Sequence, residues 1–145
     1  MNMYIKAFIL AFSLCSAFSQ NRPPAEFWNQ YDKDQKIAFI NGAYGAISKI
    51  KSHHKLEVKK QYLNYKNWVQ PYYIERFYEI SDEYISEKVG YDLSLIASHM
   101  DAFYSNSDNF NIPVMDALRV VSLVQDNENK KANIRLLRYQ QKYRK

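Results

Sequence analysis

Two carboxylates, Asp101 and Asp116, lie on either side of a polar turn at residues 105–111, where they could face each other. A pair of facing carboxylates can act as general acid and general base, as in glycoside hydrolysis. Aspartates next to turns more commonly cap helices or carry solvated charge. We therefore predict no catalytic residue, and we keep a hydrolase that uses this pair as an alternative function.

The same turn has part of the pattern of a calcium loop. In the twelve-residue window that begins at Ser105, oxygen-bearing side chains stand at the first, third, fifth and twelfth positions. Phe110 occupies the position where calcium loops have glycine, and Asp116 the position where they have glutamate. We therefore predict no metal site and no cofactor. We expect Asn and Ser side chains to hold the turn by hydrogen bonds to the backbone.

The three histidines also lack a metal-binding pattern. His53 and His54 are adjacent, so their side chains diverge, and zinc sites need three or four ligands. We predict that this pair lies in a polar surface break at residues 52–55. His99 stands one helical turn before Phe103 and is expected at the rim of the core. The sequence has no nucleophile-elbow, zinc-protease or phosphate-loop motif.

Residues 1–19 have the properties of a cleavable secretory signal. One positive charge, Lys6, precedes an apolar run at residues 7–18, and this run is shorter than the roughly 20 residues that span a membrane as a helix. The run ends at Ser19 with small residues at the positions that signal peptidase reads. We therefore predict cleavage before Gln20 and localisation in the periplasm or outside the cell.

Cys15 is the only cysteine of the chain. Its lipidation is a minor alternative, because lipoprotein signals need a small residue where Leu14 stands. A chain cut before Gln20 has no cysteine, so we expect neither disulfides nor cysteine catalysis. The full chain carries a net charge of +5, of which Lys6 contributes one, so the processed chain carries +4. This balance suits weak contact with anionic polymer or lipid and does not require nucleic acid.

Apolar residues spaced by three and four predict about six short helices. Their predicted inward faces are, in chain order: Ile37, Ile40, Tyr44, Ile47; Val58, Tyr62, Tyr65, Val69; Tyr73, Phe77, Ile80, Tyr84; Leu93, Ile96, Met100, Phe103; Val114, Leu118, Val121; Ile134, Leu137, Tyr143. No segment has the period-two pattern of a strand. We therefore predict an all-α fold, a compact array of these helices in one domain over residues 31–145, after a lead-in at residues 20–30.

Local signals set several helix boundaries. Asp32 and Gln35 have the spacing of a loose capping box for a first helix that ends near Lys51. The second helix is expected to end before Pro71, which suits the first turn of a third, as Pro113 suits a fifth. Asp92 is expected to cap the fourth helix.

Two further features are expected to shape the packing. Phe27 and Trp28 are predicted to fix the lead-in to the domain. Gly42 and Gly45 lie beside the inward face of the first helix. Since glycine weakens a helix, the pair suggests the close approach of another backbone.

The stretch from the fourth to the fifth helix has a recognisable pattern: a helix that ends in D-x-F-Y, a polar turn with Asn, and I-P opening a helix with A-L. Its residues are Asp101, Phe103, Tyr104, Asn109, Ile112, Pro113 and Leu118. With Trp28, Lys36 and Gly42 upstream, it resembles a loose group of small exported bacterial helical proteins of uncharacterised function. The chain is more distantly similar to Rap1a/Tai-type periplasmic immunity proteins, which bind and neutralise a secreted toxin. Neither resemblance implies catalytic residues.

Thirteen tyrosines make the chain tyrosine-rich, and many lie in its middle. The candidate binding residues are Tyr62, Tyr65, Trp68, Tyr72 and Tyr73, with Arg138 and Lys142 in the basic C-terminal segment. Tyrosine and tryptophan are favoured both at contact sites and in small cores, so both roles stay open. The last helix combines an apolar stripe with seven positive charges. We expect Ile134 and Leu137 to dock it, with its charges solvated or holding an anionic partner.

These features favour an exported, non-enzymatic binding protein that acts by protein–protein contact in the bacterial envelope, in the manner of an immunity protein. The alternatives are an envelope hydrolase with paired carboxylates and a structural envelope protein tethered by its basic C-terminal helix. The expected partner is a protein, with weak contact to anionic envelope polymer or lipid. We expect no nucleic acid partner and no transmembrane segment after signal cleavage.

The first prediction concerns export. The intact mass of the protein that accumulates outside the cytoplasm should match a chain beginning at Gln20, because signal peptidase cuts after small residues. A product that retains Met1, or one that begins with lipidated Cys15, would contradict this prediction.

Overall fold

The computed structural model describes residues 22–62, 65–90 and 92–144, and over these residues the protein is all-helical, as predicted. Its elements are α1 (Pro24–Asn29), α2 (Lys33–Tyr62), α3 (Tyr72–Asp82), α4 (Leu93–Tyr104), a 3-10 turn (Ser107–Asn109), α5 (Val114–Gln125) and α6 (Asn129–Tyr143). The signal segment, its cleavage site and Cys15 lie outside the described residues.

The lead-in segment contains a helix of its own. Pro23 and Pro24 begin α1 instead of preventing a helix, because a proline at the first position lacks only an N–H that has no helical partner there. Trp28 is completely buried, as predicted, whereas Phe27 is exposed and contacts Tyr31 edge-on at 5.0 Å. Trp28 therefore anchors α1 in the core together with the small Ala25, which is also buried.

The first two predicted helices are one helix of 30 residues, α2. The predicted capping box is confirmed: the Gln35 N–H donates to Asp32 Oδ1 at 2.8 Å, and the Asp32 N–H donates to Gln35 Oε1 at 3.0 Å. The predicted break at residues 52–55 is wrong. That segment has neither glycine nor proline, and polarity alone does not end a helix whose outer side faces water. His53 and His54 are therefore helical.

The second half of α2 is held in place by contacts different from those of the first half. Ile40 and Tyr44 are buried in the core, but no residue from Gly45 to Tyr62 is buried. This half is held by α3, through a hydrogen bond of 3.0 Å between His54 Nδ1 and the Tyr78 hydroxyl. An ion pair between Lys51 and Asp82 joins the same two helices.

The core forms where α1, α2, α4 and α5 meet. Its completely buried side chains include Trp28, Ile40, Ile96, Met100 and Leu118. The predicted inward faces of α4 and α5 are confirmed. Both helices contact several other elements. Their apolar stripes are therefore buried in the direction that the sequence predicts.

The residues of α3 that pack inward lie one position later in the chain than the predicted Tyr73 and Phe77. Tyr73 and Phe77 are exposed, whereas Ile74 and Ser81 are buried and Tyr78 is half-buried. The packed residues still follow helical spacing. The prediction followed the aromatic residues, but α3 packs through the apolar Ile74, and the rings of Tyr73 and Phe77 remain exposed.

The predicted inward face of α6 is wrong for Ile134 and Leu137, which are 42% and 58% exposed, and right for Tyr143. The helix packs through Ala132, which is buried, and through half-buried residues that recur at three and four: Leu136, Tyr139 and Tyr143. Ala132, Leu136 and Tyr139 thus take the place predicted for Ile134 and Leu137.

Within the part of the chain that the structure describes, no other backbone approaches the two glycines of α2. Gly42 and Gly45 are exposed, and a Cβ built on either meets no atom within 4 Å. The expectation of close packing is therefore wrong. Gly90 differs, since its φ of +57° is the left-handed conformation that favours glycine.

The second prediction uses this contrast. Gly42→Ala should raise the free energy of unfolding by about 0.5–1 kcal/mol, because alanine loses less backbone entropy in a helix and has open space here. Gly90→Ala is the matched control and should lower it, because alanine disfavours positive φ. Urea unfolding monitored by circular dichroism measures both. Destabilisation by Gly42→Ala would show that this face of α2 is covered.

Candidate functional site

The turn between α4 and α5 is held by side chains, as predicted. The Tyr104 hydroxyl donates to the Ile112 carbonyl at 2.7 Å, and Asn109 Nδ2 donates to the Phe103 carbonyl at 2.8 Å. Gln140 of α6 donates to Asn109 Oδ1 at 2.9 Å. Burial raises the pKa of the Tyr104 hydroxyl, which therefore stays protonated as a donor. The turn motif thus fixes α4, α5 and α6 in place, with Pro113 and buried Leu118 continuing it into α5.

Asp101 and Asp116 are engaged with different elements. Asp101 Oδ1 accepts from Trp28 Nε1 at 2.7 Å and from Lys36 Nζ at 2.8 Å, while the Lys36 ammonium lies 5.4 Å from the Trp28 ring centre. Asp116 Oδ2 accepts from the Tyr143 hydroxyl at 2.8 Å. The two carboxylates share no hydrogen-bond partner. Asp101 therefore anchors α1 and α2 to α4, Asp116 anchors α6 to α5, and this arrangement lends no support to acid–base chemistry by the pair.

The histidines have partners that suit structural roles. His54 bonds Tyr78, and His99 Nδ1 lies 3.0 Å from Gln125 Nε2. His99 is half-buried, in agreement with its predicted place at the rim of the core. Among the residues that the structure describes, no three or more His, Cys, Asp or Glu side chains are grouped so that they could hold a metal ion.

A buried carboxylate, Glu83, lies at the junction of three elements just after α3. It accepts hydrogen bonds from Arg119 of α5, with Nε at 2.8 Å, and from Arg135 of α6, with Nε at 3.1 Å. Burial opposes ionisation of Glu83, but hydrogen bonds from Arg135 and Arg119 hold its pKa below the usual value. Arg119 also donates to the Tyr139 hydroxyl at 3.2 Å. We call this set the Glu83 cluster.

The Glu83 cluster was not predicted from the sequence. Its two arginines stand 36 and 52 residues away from Glu83 along the chain. The one available signal was Arg119, a charge in the middle of an apolar run, VMDALRVVSLV. A charge in such a place is buried only with a partner, but the sequence does not say which of 15 acidic residues supplies it.

A second polar network lies close by. The Tyr44 hydroxyl is 2.8 Å from Ser122 Oγ and accepts from the Ser86 N–H at 3.2 Å. The Ser86 hydroxyl donates to Asp126 Oδ1 at 2.7 Å. Burial raises the pKa of Tyr44. These bonds hold the segment after α3 against α2 and α5.

Five of the candidate binding residues cluster at one end of the molecule, where α2 ends and α3 begins. Tyr62 and Trp68 stack with ring centres 4.3 Å apart and planes 9° apart. Close to them along the chain, Tyr65, Val69, Tyr72 and Tyr73 are between 68% and 82% exposed. We call these six residues the aromatic patch. Tyr62 and Trp68 are half-buried, and none of the six belongs to the buried core.

A groove of about 470 Å³ runs from the aromatic patch along the junction of α2 and α3. Trp68 and Tyr78 contribute to its lining. Lysines of α2, including Lys55 and Lys59, form one side, and acidic residues of α3, including Glu75, form the other. The aromatic patch therefore has charges of both signs beside it.

The other two candidate binding residues belong to a separate element. Arg138 and Lys142 are exposed on α6. The seven candidates thus fall into two groups, one at the junction of α2 and α3 and one on α6.

Comparison with known proteins gives no relative: no family model, curated protein or solved structure matches the chain. Within the described residues, no helix has both the length and the apolar character needed to cross a bilayer.

The third prediction concerns the Glu83 cluster. Glu83→Gln should lower the free energy of unfolding by about 3 kcal/mol or more, because it leaves two largely buried guanidinium groups without their counter-charge. Glu79→Gln is the control, since Glu79 is exposed and its salt bridge among the described residues is to Arg76, a half-buried arginine that also lies 3.9 Å from Glu83. It should change stability by about 0.5 kcal/mol or less. Equal effects of the two variants would contradict the central role of Glu83.

The same variants give a signature in acid. The pKa of Glu83 is lowered by folding, so its contribution to stability is complete above the unfolded-state value of about 4.3 and is lost as the pH falls through the folded-state value. The difference in stability between wild type and Glu83→Gln should therefore shrink below about pH 4.5. Urea titrations at several pH values measure this difference.

Proposed function

We propose that this protein is an exported, non-enzymatic binding protein, and that the aromatic patch is its contact surface for a protein partner. The observation that carries the proposal is the exposure of Tyr65, Val69, Tyr72 and Tyr73 beside the stacked Tyr62 and Trp68. Apolar patches rimmed by polar residues are typical of interaction sites.

The composition of the patch suits a protein interface. Tyrosine and tryptophan are enriched among the residues that contribute most to binding, because each buries a large rigid surface and keeps one polar group. The stacking of Tyr62 on Trp68 also fixes two of the rings before any partner arrives. Such preorganisation lowers the entropy lost on binding.

The charges beside the patch favour a protein over a uniformly charged polymer. Lys55 and Lys59 lie on one side of the adjoining groove, and Glu75 and Glu79 lie on the other. Protein interfaces commonly have an apolar centre and a polar rim whose charges select the partner and its orientation. An acidic polysaccharide would meet repulsion from the α3 side.

The setting of this contact follows from the sequence. A signal-like N-terminus favours the bacterial envelope as the place of binding. The resemblance to immunity proteins favours a secreted toxin as the partner. Under this proposal the turn motif and the Glu83 cluster are structural, and they hold the frame that presents the patch.

The fourth prediction tests the patch. Tyr65→Gln combined with Tyr73→Gln should weaken binding to the partner by at least about 30-fold, because the loss of even one hot-spot aromatic residue from an interface costs about 2 kcal/mol. The control, Ile50→Gln with Leu56→Gln, removes two exposed apolar residues of α2 that lie outside the patch. It should bind like wild type.

The partner is identified by capture from an envelope extract and is then purified, so that the dissociation constant is measured by titration calorimetry with both pure proteins. The mass of the partner after incubation checks that it is not cleaved or modified. Equal affinity of wild type and the patch variant would overturn the assignment of the surface. A chemically altered partner would overturn the non-enzymatic function.

A further inference from the structure

The outward side of α6 combines positive charge with exposed apolar groups. Ile134 and Leu137 are exposed there, although the sequence predicted them to be buried. Around them stand five exposed cations: Lys130, Lys131, Arg138, Lys142 and Arg144. Helical spacing places Ile134, Leu137, Gln141 and the four cations within the helix on one side, opposite Ala132, Leu136, Tyr139 and Tyr143, which face the core. Arg144 follows the helix directly in extended conformation, and we count it with them. We call this side the basic face.

The charge of the basic face is of one sign. The helix has no acidic residue from Asn129 to Tyr143. Lys131 forms a salt bridge of 3.4 Å with Glu128, just before the helix, and within the described part of the chain no salt bridge involves the other four cations. This face therefore attracts a surface of negative charge, in contrast to the mixed charges beside the aromatic patch.

The inner side of α6 fixes the direction of the basic face. Tyr143 donates to Asp116, Arg135 donates to Glu83, and Gln140 donates to Asn109. These bonds are distributed along the helix, so α6 does not turn its apolar inner residues outward. Ile134 and Leu137 are thus presented to solvent by a fixed element.

We infer that the basic face is a membrane-contact surface that lies flat on anionic phospholipid. Lysines and arginines beside an anionic bilayer gain electrostatic energy from its headgroups. Apolar side chains on the same face enter the boundary between headgroups and acyl chains. The helix of 15 residues is about 22 Å long, which is enough to lie along the surface but not to cross the bilayer.

The pair of apolar residues is what favours lipid over a soluble anion. A soluble polyanion without apolar groups would be held by the cations alone and would leave Ile134 and Leu137 in water. A bilayer accommodates both kinds of residue at once. This inference does not depend on the aromatic patch, which lies on other helices and addresses a protein.

The fifth prediction tests the basic face with vesicles, using the protein in the form that accumulates in its host. Wild type should sediment with vesicles of phosphatidylcholine containing about one third phosphatidylglycerol, and not with phosphatidylcholine alone. Binding should be lost when salt is raised from 0.1 M to 1 M, which shortens the Debye length from about 10 Å to about 3 Å.

Three variants separate the contributions. The first changes Lys130, Arg138, Lys142 and Arg144 to Gln, and its affinity for anionic vesicles should fall by at least about 100-fold, since each cation contributes about fivefold. The matched control removes the same charge outside α6. It changes four exposed lysines to Gln: Lys33, Lys49, Lys59 and Lys66. It should bind nearly as wild type does. Ile134→Gln with Leu137→Gln should weaken binding by about tenfold, because apolar insertion is lost.

Each other outcome overturns the inference. Equal losses in the basic-face variant and the control would show attraction by net charge alone. Unchanged vesicle binding in the apolar variant, together with equally tight binding of soluble polyglutamate, would show that the face serves an acidic polymer or protein. Absence of wild-type binding to anionic vesicles would show that its charges are merely solvated. Circular dichroism of every variant confirms that the helix is intact.

Discussion

The burial of one carboxylate, Glu83, constrains the arrangement of the C-terminal half of the molecule. A buried charge is tolerated only with close counter-charges and hydrogen bonds. Arg119 and Arg135 supply them from α5 and α6, so these helices must meet the end of α3 at one place and in one register. Hydrophobic contact alone would allow α6 to slide or rotate on its tyrosines. The ion pair between Arg135 and Glu83 prevents this movement, and it thereby sets which side of α6 faces outward.

The parts of the fold that were predicted correctly are those whose signal is local. The capping box of Asp32 and Gln35 involves residues three positions apart, and the turn at Asn109 is closed by its own neighbours. The stripes of α4 and α5 were read correctly because these helices are covered on several sides. Most of their apolar residues are packed, although Leu95 and Val124 are exposed.

The errors have physical causes of three kinds. The continuity of α2 was missed because a polar segment without glycine or proline can be helical and exposed. The faces of α3 and α6 were misassigned because a helix on the outside of a small domain buries only a narrow stripe, and tyrosine or alanine serves there as well as leucine. The Glu83 cluster was missed because its partners are distant along the chain. The spacing of residues within a single helix predicts neither the continuity of α2, nor the buried faces of α3 and α6, nor the Glu83 cluster.

The sequence named candidate binding residues without their arrangement. It left open whether Tyr65 and Tyr73 lie in the core or on the surface, and the structure has both exposed. Arg138 and Lys142 were grouped with them, although the structure assigns them to a different element. The error in placing Ile134 and Leu137 mattered most for function, because their exposure adds apolar groups to the charged outer side of the docked α6 and makes that side a candidate contact surface.

The length of α2 gives the protein two regions of unequal local stability. From Gly45 to Tyr62 the helix contributes no buried residue, so opening this half with α3 exposes little apolar surface and needs less free energy than global unfolding. The aromatic patch lies at the far end of that region. A partner that binds the closed form there stabilises it against this local opening. Binding should then slow amide hydrogen exchange along the distal half of α2, far beyond the side chains that the partner touches.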